Sequence, residues 1–140
     1  MRSVCMSTAT CTAQLVIAGR FDPHEFTRLS GMKPTGVRRR GDFIKGTIEQ
    51  HDQDQWIVAT PPRRGGRCED VLYDLFSLAS PHAQNLHFLA QLHGLQSTIR
   101  LAVTVEKGAS LPVLELSPES LRRMEVLGAT LAIHMQPAAD

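Results

Sequence analysis

Aromatic residues, long apolar runs and paired cysteine motifs are all scarce in this chain of 140 residues, and each shortage removes a class of protein. One tryptophan, one tyrosine and five phenylalanines leave little on which to stack nucleic-acid bases. No run approaches the ~20 apolar residues that a membrane-spanning helix needs. The expected partners therefore include neither nucleic acid nor membrane. Cys5, Cys11 and Cys68 are an odd number with no metal-type spacing, which suits a reducing, cytoplasmic setting rather than a disulfide framework. Behind Arg2 no apolar core follows, so no signal peptide is read there, and Met6 is a second candidate start. Charge of one sign is also lacking: 15 Lys and Arg against 14 Asp and Glu leave +1.

What is present suffices for one globular domain. A hydrophobic share of 42% is ordinary, and a chain of this length buries roughly two-thirds of its unfolded surface. Residues 1–12 are small and polar and are expected to be disordered, residues 13–136 to form the domain, and residues 137–140 to be a tail. The most explicit stretch is 114–135. Ser117 fits a helix N-cap, Pro118 the first helical position, Glu119 the positive end of the dipole and Gly128 a left-handed stop. Leu121, Met124 and Leu127 recur at helical spacing as a buried stripe. After Gly128 the period becomes two, with Leu131, Ile133 and Met135 on one face of a strand and Thr130, Ala132 and His134 on the other.

Residues 13–19 read as a central strand, and Asp22-Pro23-His24-Glu25 opens a short helix anchored by Phe26 and Leu29 that stops at Gly31. The two strand–Pro–helix–Gly runs echo each other, either as a pseudo-repeat or because strand-to-helix junctions converge on this chemistry. Residues 32–42 read as a loop. Residues 43–49 and 55–60 read as strands joined at 51–54, and Arg63-Arg64-Gly65-Gly66-Arg67 as a flexible basic connector. Residues 68–79 are helical with a wide apolar face, and Ser80-Pro81 either kinks this helix or starts a second one up to Gly94. Residues 98–105 alternate as a half-buried strand, with 111–116 expected beside it as a hairpin. The order is β-α-β-β-α-β-β-α-β, an α+β two-layer sandwich with a mainly antiparallel sheet covered by helices.

Asp22-Pro23-x-Glu25, Lys33-Pro34-Thr35, Arg40-Gly41-Asp42, Trp56, Leu116-Ser117-Pro118-Glu119-x-Leu121 and Leu127-Gly128-Ala129 stand in an order and spacing that resembles a bacterial family of small proteins, domain of unknown function 4279. The resemblance spans about residues 13–135. It implies a stand-alone bacterial cytoplasmic domain, and it carries over no catalytic residue.

No catalytic or ligand-binding motif is evident. His82, His87 and His93 lie five and six apart, whereas two ligands on one helix face need spacings of three or four, so they read as solvated surface residues. Cys68 beside Arg67 is the one thiol with a cation and a helix start nearby, but Glu69 and Asp70 oppose a thiolate, and a packed small residue is the simpler reading. The expectation is therefore no cofactor, no metal and no enzyme activity. The strongest lead is charge asymmetry. Residues 33–67 hold eight cations against four acids, a net +4 in a near-neutral chain. The expected partner-binding residues are Arg38, Arg39, Arg40, Lys45, Trp56, Arg63, Arg64 and Arg67, brought together if the hairpin sets its two arginine groups side by side. Loops charged simply for solubility are the alternative. The functional expectation is a non-enzymatic protein-binding domain, most concretely an immunity protein that neutralises a cognate toxin. The alternatives are a small-molecule-binding or hydrolase-like domain with a pocket between helices and sheet, His134 meeting Glu115 or Arg100 there, and a homodimer formed through an exposed strand edge.

Overall fold

A computed structural model describes residues 9–139. Its elements are β1 (Ala9–Gly19), α1 (Pro23–Ser30), β2 (Gly36–Arg38), β3 (Asp54–Ala59), β4 (Arg63–Arg64), α2 (Glu69–Ala79), α3 (Ala83–Leu92), β5 (Gln96–Val105), α4 (Pro118–Leu127) and β6 (Thr130–Pro137), with one 3₁₀ turn, Ser80–His82, between α2 and α3. The sheet runs β2-β3-β1-β5-β6, and β4 adds a short rung to the start of β1. Every pairing is antiparallel except β5 with β6, which α4 joins as a parallel crossover. The protein is α+β with a mainly antiparallel sheet, as its periodicities imply.

Alternation in the strands decides where the core lies. Ala9, Cys11, Ala13, Leu15 and Ile17 of β1, Trp56 and Val58 of β3, and Ile99, Leu101 and Val103 of β5 point to one face and are buried. Phe26 of α1, Leu72, Leu75 and Phe76 of α2, Leu86 of α3, and Met124 and Leu127 of α4 close over them. The helices begin and end on the expected residues. Asp22 accepts the His24 N–H at 3.0 Å and Ser117 that of Ser120 at 3.1 Å. Gly31 and Gly128 take left-handed conformations at φ 73° and 66°.

Several expectations are corrected. Strand β1 starts at Ala9, so residues 9–12 are ordered structure rather than part of a disordered arm; small inward Ala9 and Cys11 pack against β5 without an obvious apolar signature. Residues 1–8 lie outside the described chain. Residues 43–49 are not a strand beside β3. Gly46, at φ 79°, turns the segment back on itself, with rungs from Ile44 to Glu49 and from Asp42 to His51. The strand beside β3 is instead β2, inside what reads as loop. Residues 111–116 do not pair with β5, because Pro112 interrupts the run and β6 occupies that flank. They form an irregular strap whose Leu114 and Leu116 still pack on the core. Within the helices, Leu29, Leu78, Leu92 and Leu121 are partly exposed, and Ser120 takes the buried place expected for Leu121.

Candidate functional site

The eight expected partner-binding residues do not form one surface. Trp56 belongs to the interior: it is fully buried, donates its indole N–H to Thr27 Oγ1 at 3.0 Å and meets the Phe26 ring edge-on at 5.0 Å. The two arginine groups lie at opposite ends of β1. Arg64 pairs with Thr10, whereas Arg38 sits beside Gln55, which faces Ala18. Eight residues of strand separate these positions, about 26 Å. A shared charge in the sequence is thus split by strand register.

The two groups also differ in how their charges are used. Arg63 forms a fork onto Asp74 at 2.7 and 2.9 Å, and Arg64 a fork onto Glu106 at 2.9 and 3.2 Å. Arg67 reaches the buried Glu69 at 2.8 Å. The basic connector is therefore a fastening that ties β4 to α2 and to the end of β5, not a flexible tether. Around β2 the situation is reversed. Arg39 lies 3.7 Å from Asp22 and 3.9 Å from Asp54, but among the described residues Arg38, Arg40 and Lys45 form no ion pair.

Two of these cations, Arg38 and Lys45, border a cleft of about 330 Å³ beneath the 39–53 excursion. Arg38, Lys45 and His51 form its polar wall with Asp42, and Phe43 and Ile57 its apolar one. Asp54, buried at the start of β3, holds the base of the excursion. It accepts the Arg40 N–H at 2.8 Å and the Phe21 N–H at 3.2 Å. The Arg40 N–H, acting against the desolvation of burial, together with the Phe21 N–H and the nearby arginines, keeps the Asp54 carboxyl below its ordinary range. Beyond the cleft the excursion exposes Phe43 (65%) and Ile48 (92%). Composition flags these cations. The exposed apolar pair beside them is a signal that the strand reading of 43–49 concealed.

The space between helices and sheet, where a small-molecule pocket is the alternative expectation, is filled by Trp56, Phe76, Leu15, Ile17 and Leu72. His134 lies on the sheet face opposite the helices, because its partner Ala102 alternates with the inward Leu101 and Val103. Glu115 borders a separate cleft with Arg67, Glu69 and Val113. His134 and Glu115 are thus not brought together. Among the described residues no three His, Cys, Asp or Glu side chains converge as a metal site, and no described helix is long and apolar enough to cross a membrane. Cys68 is buried at the start of α2, with its sulfur 2.9 Å from that of Cys11. Burial first, then the neighbouring thiol, pushes the Cys11 thiol up to about 12, so it is held neutral.

A mainly antiparallel open sheet with helices on one face and a cationic loop at one edge defines a two-layer α+β protein with an external cleft. The chain belongs to the family described as Domain of unknown function (DUF4279), whose model matches residues 9–138. No curated protein and no solved structure matches it.

Proposed function

We propose that this is a non-enzymatic protein-binding domain that grips an acidic partner surface with the 39–53 excursion and β2. The observation that carries this reading is the contrast in pairing. Arg63, Arg64 and Arg67 are satisfied internally, while Arg38 and Lys45 form no ion pair among the described residues and share a cleft with exposed Phe43, on the excursion that also exposes Ile48. Arginine with adjacent aromatic and aliphatic anchors is the composition that dominates protein interfaces, where the fork geometry selects carboxylates. The concrete form proposed is an immunity protein of bacterial cytoplasm that neutralises a toxin by covering an acidic or neutral part of its surface.

Co-expression with the product of the neighbouring gene tests this. Growth rescue and co-purification are expected, both lost in a variant combining Arg38→Glu with Lys45→Glu and both retained in Arg63→Ala. No rescue, or rescue indifferent to the paired charge reversal, overturns the proposal.

A further inference from the structure

Strand β6 is an eight-residue strand at the edge of the sheet opposite β2, about 27 Å long. Its sequence, Thr-Leu-Ala-Ile-His-Met-Gln-Pro, contains no Asp, Glu, Lys or Arg. Natural edge strands are blunted by charges, bulges or covering segments, because their free N–H and C=O groups recruit other strands. Here the register with β5 runs unbroken from Thr98 opposite Thr130 to Val105 opposite Pro137, and among the described residues no strand covers the outer side. Leu131, Ile133 and Met135 stand beside Ile99, Leu101 and Val103 on the face that the helices cover elsewhere. The helices stop short of the edge, leaving Ile133 44% and Met135 49% exposed. The strap after β5 extends this apolar strip: Leu111 and Met135 line one cleft of about 410 Å³, and Leu111 faces solvent.

We infer that this edge pairs with β6 of a second copy, antiparallel, about a two-fold axis at Ile133. In such a pairing, positions equidistant from the axis face one another. Ile133 meets Ile133, and Leu131 meets Met135 of the second copy, all on the apolar face. Thr130 meets Gln136 and Ala132 meets His134 on the polar face. On the face that carries Leu131, Ile133 and Met135, apolar positions therefore oppose apolar ones. Charge argues for this occupant over a foreign strand: like charges directly opposite destabilise a pairing, and a strand without formal charge meets its own copy with none. Area brings in the strap. A stable dimer covers roughly 800 Å² per partner, more than a strand edge alone provides, and Leu111, in one cleft with Met135, supplies apolar surface beside it. The cationic clefts of the two copies then sit at the outer ends of one continuous sheet, both open. This inference is independent of the proposed function and uses none of its residues.

Sedimentation of the intact chain at low and high micromolar concentration, with variants at the axis, tests it. Wild type is expected to double its mass with concentration. Ile133→Lys and Ile133→Glu are each expected to remain single chains, and their equimolar mixture to regain the two-chain species, since only self-opposed positions let opposite charges meet. A wild type that stays a single chain overturns the proposal, as does a dimer surviving both variants or a mixture that fails to recover. Should the variants unfold, hydrogen exchange of wild type decides: the β6 amides must slow as concentration rises, and unchanged exchange overturns the pairing.

Discussion

Glu69 accepts the backbone N–H of Ser117 at 2.7 Å, so the first turn of α2 serves as a cap for the first turn of α4. The same carboxylate oxygen takes the Ser120 hydroxyl at 3.0 Å, and Arg67 approaches the other oxygen at 2.8 Å. The Ser117 N–H, working against burial and aided by the Ser120 and Ser117 hydroxyls and by Arg67, holds the Glu69 carboxyl below its ordinary value near 4.5. Replacement by Ala takes the acceptor from the Ser117 N–H and the buried Ser120 hydroxyl and is expected to cost about 1–3 kcal/mol, read by urea unfolding at neutral pH. The pH dependence follows from the depressed value. Glu69 stabilises the fold fully above its unfolded pKa, and the contribution is lost as pH falls through the lower folded one. The stability difference between wild type and Glu69→Gln should therefore narrow on acidification below about pH 4.

Trp56 gives a sharp contrast between a contact residue and a core residue. Its burial against Phe26 and its bond to Thr27 predict blue-shifted emission that resists aqueous quenchers. Trp56→Ala is expected to destabilise by about 3–5 kcal/mol. A Trp56→Ala variant with near-native stability in chemical denaturation would remove the residue from the core.

Gly128 is required twice over. At φ 66° a side chain is strained, and a Cβ there would stand 2.5 Å from Nε2 of His87 and 2.6 Å from its Cδ2. Gly128→Ala is expected to lower stability by about 1–3 kcal/mol. His87→Ala in the same background should recover the steric part only, leaving the backbone part, which thermal melts of the single and double variants would separate.

The caps around Ser117 and Gly128 were legible in the sequence because they are local: a hydroxyl, a proline and a glycine at set spacing do the same work in any fold. The fate of residues 111–116 was not. Alternation marks Leu114 and Leu116 as inward, but whether the flank of β5 is free depends on β6, which starts fourteen residues beyond Leu116. The arginines fail for the same reason. Counting charges between Lys33 and Arg67 locates them along the chain, while only the register of β1 with β3 and β4 shows that they part to opposite ends. What they pair with, Asp74 and Glu106, lies outside the segment in which they were counted.

Buried thiols make a further test. Cys11 and Cys68 face each other across the β1–α2 contact with sulfurs 2.9 Å apart, both shielded from solvent. With the Cys11 thiol pushed up to about 12, thiolate is absent near neutral pH. Iodoacetamide at mildly alkaline pH should leave peptides containing Cys11 and Cys68 unmodified in the native chain and label them only in denaturant. Rapid native labelling of Cys68, read by mass spectrometry, would show a reactive site that this packing forbids.

Asp54 connects the fold to the proposed binding loop. Its two oxygens hold the Arg40 and Phe21 N–H groups, so the excursion leaves the sheet at a defined angle and Arg38, Lys45 and Phe43 keep their relation to the cleft. Asp54→Asn retains one acceptor but loses the charge that draws Arg39, 3.9 Å away. Hydrogen exchange should then quicken across residues 39–53 while β1 and β5 stay protected, and affinity for an acidic partner should fall through a faster dissociation rate. The arginines of the connector behave differently: Arg64→Ala breaks the fork to Glu106 and should leave exchange in the excursion and partner affinity unchanged. Equal effects from the two substitutions would mean that the loop is not an independent binding element.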